Sequence, residues 1–141
     1  MSIKSVITDL RTANTAGVGA DGRVFTGPPG FSSAFNATLG TNDAVVNVVE
    51  AKAGHKFVVT DVFAKANKNV SATVDATVEI YEADSATSAT VQTALLNIPL
   101  ARSESVTLNG IFLGTKGTVY INARTDDDDV FITILGYYTA L

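Results

Sequence analysis

The segment Thr73–Tyr81, TVDATVEIY, decides the fold class of this 141-residue chain. Its aliphatic residues fall at every second position, and Asp, Thr, Glu and Tyr take the positions between them. A period of two is the pattern of a β-strand that turns one face to a core and the other to water. The segment therefore predicts a strand whose core-facing residues are Val74, Ala76, Val78 and Ile80.

The same alternation recurs from Ala44 to the end of the sequence, in runs rich in β-branched and aromatic residues. Short turn-forming segments separate these runs, and none of them is long enough to hold a helix. Parallel strands need long crossovers, so the strands must be mainly antiparallel. We predict an all-β fold, an antiparallel β-sandwich of the jelly-roll type, with an immunoglobulin-like strand order as the alternative. The predicted strands are 45–50, 56–66, 73–81, 91–96, 104–113, 118–124 and 130–139.

Residues 1–43 differ from the rest because they are rich in Gly, Ala, Thr, Asn and Ser and alternate little. We predict an extended N-terminal arm over 1–43 and a sandwich domain over 44–141. Four aliphatic residues of the arm have helical spacing, which favours a short amphipathic helix once the arm lies on a surface. Its aromatic residues are costly to expose, so the arm should pack on its own sandwich or on a neighbouring subunit. The arm residues predicted to bind a partner are Ile3, Val6, Ile7, Leu10, Phe25, Phe31 and Phe35.

The low charge content indicates that part of the surface is covered by protein. Charged residues make up 17% of the chain, against about a quarter in an average soluble domain. A subunit neighbour is the commonest cover for such a surface. The net charge of -4 and the scattered positions of the ten basic residues argue against a nucleic-acid partner.

The sequence also limits redox chemistry and membrane association. There are no cysteines, which excludes disulfides, Cys-ligated zinc and a Cys nucleophile. Met1–Leu10 lacks the continuous apolar run of a signal peptide, and nowhere do 18 apolar residues follow one another. We expect synthesis in a cytoplasm and no membrane partner.

No set of residues predicts a reaction. The single histidine, His55, stands in a turn before a strand, and no evident partner marks it as a general base. No G-x-S-x-G motif or phosphate-binding loop is present. Glu79 and Glu82 flank Tyr81 and suggest a carboxylate pair, but acids on the outer side of a strand are usually solvated. We therefore predict no catalytic residue, no cofactor and no enzymatic activity.

Four consecutive acids precede the last strand. A calcium-binding loop places oxygen ligands at alternating positions and uses a glycine at its bend, and no glycine interrupts this run. Aspartate favours turns and opposes edge-to-edge strand pairing, so the run is interpreted as a solvated hairpin tip. A bound divalent cation is the alternative, with the candidate ligands Asp126, Asp127, Asp128 and Asp129.

The strand that follows, 130–138, is apolar on both sides. Val130, Ile132 and Ile134 share one face, while the other carries Phe131, Leu135 and Tyr137. One face serves the sandwich core, and the second must meet another layer, either the arm or a symmetry mate. The partner-binding residues predicted here are Phe131, Tyr137 and Tyr138.

A Gly-, Thr- and Ala-rich leader precedes four distinctive segments of the chain. They are AGHKFVVTDVFAKANKN (53–69), ATVEIYEAD (76–84), ALLNIPL (94–100) and VFITILGYY (130–138). Through these segments, residues from about 50 to 141 resemble the small jelly-roll decoration, or cement, proteins of tailed-bacteriophage capsids.

The resemblance implies a homotrimer that binds the major capsid protein and stabilises the capsid lattice, without catalytic residues. It also implies a location on the virion surface after synthesis in the host cytoplasm. A carbohydrate- or receptor-binding module of a phage tail or head fibre is the alternative, because β-sandwiches host both functions.

Overall fold

The computed structural model describes residues 33–40, 43–67, 73, 75–127 and 129–141. These residues form β-strands joined by turns, with no helix in the described ranges, as the alternating sequence predicts. The strands are β1 (Ser33–Leu39), β2 (Val46–Val49), β3 (His55–Ala66), β4 (Ala76–Ala83), β5 (Thr93–Leu100), β6 (Ser105–Leu108), β7 (Leu113–Gly114), β8 (Tyr120–Thr125) and β9 (Val130–Ala140).

The strands form two antiparallel sheets that pack face to face, so the predicted sandwich is confirmed. The first sheet has the order β1-β9-β3-β6, and β7 also pairs with β3; the second has the order β2-β8-β4-β5. The chain crosses repeatedly between the sheets, and the first and last of these strands are neighbours. This order agrees with the predicted jelly-roll type.

The core lies between the sheets and includes the inward-facing residues predicted for β4 and β9, except Val74, which lies outside the described residues. Val130, Ile132 and Ile134 of β9 are buried, and they meet the buried residues Ala76, Val78 and Ile80 of β4. Full burial of one such aliphatic side chain contributes about 1.5–3 kcal/mol. The period of two therefore decides which side of each strand stabilises the fold.

Strand β9 lies inside the first sheet, between β1 and β3, and Gly136 of β9 packs tightly against β3. A Cβ atom at this position would lie 2.2 Å from the Val58 carbonyl oxygen and 2.6 Å from the Phe57 ring. The register of β3 shifts at the same place, between Val59 and Asp61. Only glycine fits this close approach, so Gly136 is required for the packing of the Phe57 ring.

The structure corrects several predicted boundaries. Residues 33–39, predicted as part of the arm, form β1 and pair with β9 along their whole length. Residues 1–32 lie outside the described residues, and their role as an arm stays a prediction. The predicted strand 104–113 is two strands separated by a turn in which Gly110 has a positive φ of 64°. The strand predicted over 91–96 runs on to Leu100, because Pro99 is tolerated on the edge strand β5.

We predict that Gly136→Ala lowers the free energy of unfolding by about 1–3 kcal/mol, since the added methyl group must displace backbone or a packed ring. Urea denaturation measures the effect. Gly117→Ala is the matched control, because a Cβ there meets no atom within 4 Å. Equal stability of the two variants would contradict the close packing at Gly136.

Candidate protein-binding face

The two sheets differ in what covers their outer faces. In the second sheet, the outward side chains of β4 and β8 lie under the β4–β5 connection, residues 84–92. Tyr81 and Asn122 are cross-strand partners on this face, and both are 0% exposed. The alternating sequence predicted that Tyr81 faces water, and this prediction is wrong. The chain covers this face with its own loop.

Hydrogen bonds to backbone carbonyls hold the loop in place. The Asn122 Nδ2 group donates to the carbonyl oxygens of Ser85 at 3.0 Å and Ser88 at 3.2 Å. The Tyr81 hydroxyl also donates to the Ser88 oxygen, at 2.9 Å. Asn47 Nδ2 donates to Asn122 Oδ1 at 3.0 Å, which fixes the orientation of the buried amide. Each of these buried side chains thus has a hydrogen-bond partner. Moving the loop away from the sheet would break the hydrogen bonds to the Ser85 and Ser88 carbonyl oxygens.

Arg124 fastens the outer part of the same loop. Its Nε and Nη2 atoms both lie 2.7 Å from Glu79 Oε2, and its Nη1 donates to the Ala89 carbonyl oxygen at 3.2 Å. The guanidinium carbon lies 5.3 Å from the centre of the Tyr81 ring, within cation-π range. The ion pair is partly exposed, so it adds little by charge alone; its main effect is to position the arginine against the loop.

The first sheet presents a different outer face, which is open and partly apolar. Phe131 of β9 is 44% exposed and Phe63 of β3 is 36% exposed. Phe63 lies opposite Thr133 and Phe131 opposite Lys65, so the two rings are diagonal neighbours on adjacent strands. Half-buried Leu135 and Tyr137 continue the same face along β9. We call Phe63, Phe131, Leu135 and Tyr137 the open face.

The surface around Phe131 is grooved. One depression lies where β1 meets β9, and Asn36, Thr38 and Thr133 line it together with Phe131. A second lies on the other side of the ring, between Lys65 and Ser103. The ring therefore forms a ridge between two depressions, and this relief suits the interlocking contacts of a protein partner.

The residues predicted to bind a partner divide between the two faces of the first sheet. Phe131 and Tyr137 lie on the open face, whereas Phe35 and Tyr138 pack against the core. The Phe57 ring makes edge-to-face contacts with Phe35 at 5.5 Å and with Tyr138 at 5.0 Å. The other predicted residues, Ile3, Val6, Ile7, Leu10, Phe25 and Phe31, lie outside the described residues.

Tyr138 serves the fold at one end of β9. Its hydroxyl donates to the Glu50 carbonyl oxygen at 2.6 Å, and Lys52 Nζ lies 5.4 Å from the ring centre. Burial raises the pKa of the Tyr138 phenol, and the Glu50 carboxylate raises it further. These contacts tie β9 to the β2–β3 connection, so Tyr138 is less available to a partner than Tyr137.

Phe63 is the residue of the open face that sequence reasoning missed. It stands in a continuous run of apolar residues between Val62 and Ala64, both of which are buried. The alternation could have identified it, because Phe63 lies between two core-facing residues and must therefore point to the outer side of the strand.

The structure separates the acidic residues that the sequence brings together. Glu79 and Glu82 lie on opposite faces of β4, and the Lys116 backbone N–H donates to Glu82 Oε1 at 3.1 Å. Two carboxylates on opposite faces cannot act together on one substrate. His55 Nδ1 lies 2.9 Å from the Ala53 carbonyl oxygen, within the turn that leads into β3.

Asp126, Asp127 and Asp129 lie in the connection between β8 of the second sheet and β9 of the first. Because β8 and β9 belong to different sheets, the predicted hairpin tip is wrong. Asp126 Oδ1 accepts a hydrogen bond from the Thr77 backbone N–H at 2.7 Å, and Asp129 has a positive φ of 52°. Asp128 lies outside the described residues. Among the described residues, no three His, Cys, Asp or Glu side chains are grouped to hold a metal ion. Nor does any helix in the described part of the chain have the length and apolarity to cross a membrane.

Comparison with known proteins finds distant structural similarity to solved structures. No protein-family model and no curated protein matches the chain. Among solved structures, the chain is similar to a chain of the Cyanophage Pam1 capsid asymmetric unit, with 16% sequence identity and a TM-score of 0.43. The match covers 86% of this chain and 97% of that chain.

We predict that Tyr81→Phe loosens the β4–β5 loop and costs about 0.5–1.5 kcal/mol, the usual contribution of one hydrogen bond. Burial raises the pKa of the Tyr81 phenol, opposed in part by the nearby Arg124 charge. The phenol's contribution to the free energy of unfolding is therefore fully present below the unfolded-state pKa, near 10. That contribution is lost as the pH rises through the higher folded-state pKa. Urea midpoints measured from pH 8 to 11 should fall less steeply at the alkaline end in the variant. Identical alkaline slopes would contradict the role of the buried phenol.

Proposed function

We propose that this chain is a structural virion protein, a capsid decoration protein that binds the major capsid protein and stabilises the capsid lattice as a homotrimer. The observation that carries the proposal is the contrast between the two outer faces. One is sealed by the chain's own loop, while the other exposes Phe63 and Phe131 on rigid central strands.

The chemistry of the open face supports protein binding. Aromatic side chains on a rigid sheet lose little conformational entropy when a partner covers them, and they dominate the energy of many interfaces. Lys65 and Thr133 lie beside the rings and supply polar atoms at their margin. A protein partner can therefore bury the rings and still satisfy the polar groups around them.

The low charge content and the resemblance to cement proteins in residues 50–141 favour a capsid as the partner. A decoration protein acts by binding alone, so it needs no reactive group. Repeated display of one modest contact gives high total affinity, because each further contact in a lattice forms at high effective concentration. Copies made in the host cytoplasm would then remain attached to the outer surface of the virion.

We predict that Phe131→Lys weakens binding to empty capsid shells of the virus that encodes the chain by at least about tenfold, equivalent to about 1.4 kcal/mol. The change places a charge at the centre of the open face while leaving the core untouched. Co-sedimentation with shells measures binding, and light scattering measures the oligomer. Asn97→Lys is the matched control, since Asn97 is an exposed strand residue of the second sheet.

Three results would overturn the proposal: native protein that fails to sediment with the shells, equal binding by both lysine variants, or loss of binding by the Asn97 variant alone. A shift in the thermal midpoint of Phe131→Lys would show that the ring serves the fold. Phe63→Ser then tests the same face from the neighbouring strand.

A further inference from the structure

We propose that β1 pairs edge to edge with β1 of a second copy of this chain, antiparallel and centred on Asn36. The pairing would join two first sheets into one continuous sheet. It links two copies through the edge of the sheet, so it is a contact separate from those of the proposed homotrimer. It adjoins the proposed capsid-binding face only at the depression that Asn36 and Thr38 line beside Phe131.

Strand β1 has none of the features that protect exposed strand edges. In the described part of the chain, strands β1, β2, β5, β6 and the two-residue β7 lie at the edges of the two sheets. Natural edge strands are usually short, bulged or interrupted by proline or charge. Strands β2 and β6 have four residues each, and β5 contains Pro99 and a register shift against β4. Strand β1 has seven residues, SAFNATL, without proline or charge, and it pairs with β9 without a shift.

Strand β1 is also complementary to a second copy of itself. When two copies run antiparallel about Asn36, Phe35 faces Ala37 of the partner, and Leu39 faces the partner's Ser33. On the other face, Thr38 lies opposite Ala34. Each pair joins a larger side chain to a smaller one, and the inward-facing residues of one copy meet the inward-facing residues of the other. No like charges meet, because the strand has none.

Asn36, at the centre of the pairing, can form hydrogen bonds with Asn36 of the second copy. Asn36 is exposed on the outer face, and its Oδ1 accepts a hydrogen bond from Thr133 Oγ1 at 2.7 Å. An amide carries both donors and acceptors, so two asparagines placed opposite each other can donate and accept across a twofold axis. This interaction would fix the register of the two strands.

The exposure of the other side chains of β1 fits an edge that no described residue covers. Ser33, Ala34 and Thr38 are exposed, as Asn36 is. Other strands that could pair with β1 are a segment from residues 1–32 of the same chain and a strand of another protein. Neither has the twofold matching of large and small residues that a second copy provides.

Cysteine cross-linking tests the register directly, because the native chain has no cysteine. We predict that Asn36→Cys forms a disulfide-linked dimer under mild oxidation. Directly opposite Cβ atoms in antiparallel strands lie about 4.5–5.5 Å apart, and a small adjustment reaches disulfide geometry. Thr107→Cys is the matched control, because Thr107 is exposed on β6, the opposite edge of the same sheet. Cross-linking no greater than that of the control would overturn the proposal.

Charge substitution tests whether the contact is symmetric. Asn36→Lys and Asn36→Asp should each weaken self-association at least tenfold in sedimentation velocity, since each sets like charges opposite one another. An equimolar mixture should restore the dimer, because only a second copy can bring the two charges together. Thermal melts of both variants check that the fold survives the loss of the Thr133 hydrogen bond.

Each alternative occupant gives a result that contradicts the proposal. Native protein that sediments as a single chain at every concentration would show that no second copy pairs with β1. Self-association of Asn36→Lys equal to that of the native protein would show that β1 does not pair with a second copy, whatever the melting temperature of the variant. Unchanged self-association combined with lost shell binding would place another protein there.

Discussion

The position of β9 between β1 and β3 is the constraint on which the rest of the structure depends. Strand β9 pairs with β3 from Val130 to Ala140 and with β1 over seven residues, so its backbone is fixed on both sides. Its side chains must then alternate strictly between the core and the outer surface. Gly136 permits this because the neighbouring strand and the Phe57 ring occupy the space of a side chain. Once β9 is fixed in this way, Phe131 and Leu135 cannot turn inward.

A strand held this firmly has different consequences on its two sides. On the inner side, Val130, Ile132 and Ile134 complete the core. On the outer side, the apolar residues stand on a surface that the described loops leave open, while the opposite sheet has Asn122 and Arg124 to hold a covering loop. An open apolar face on a rigid support loses little entropy when it binds a partner, which is why assembly explains it better than catalysis.

The sequence predicts the period-two elements well, because their faces follow from alternation alone. The sequence predicts the described core residues of β4 and β9. The alternation along β9 would also have placed Tyr138 on the same inner side as Val130. It misses β1, since seven residues of mixed polarity in a Gly- and Thr-rich segment give little periodic signal. It also misses the burial of Tyr81, because the β4–β5 loop covers the ring through Ser88, seven residues further along the chain. Loop placement depends on tertiary hydrogen bonds, and no local pattern encodes them.

Hydroxyl-radical footprinting of the chain, free and attached to capsid shells, tests the central claim most directly. The account predicts that oxidation of Phe63 and Phe131 falls at least severalfold on attachment, while exposed Phe112 in the β6–β7 turn serves as an internal reference for radical dose. Unchanged oxidation of Phe63 and Phe131, with new protection of the β4–β5 loop, would contradict it, because the sealed face would then be the one that binds.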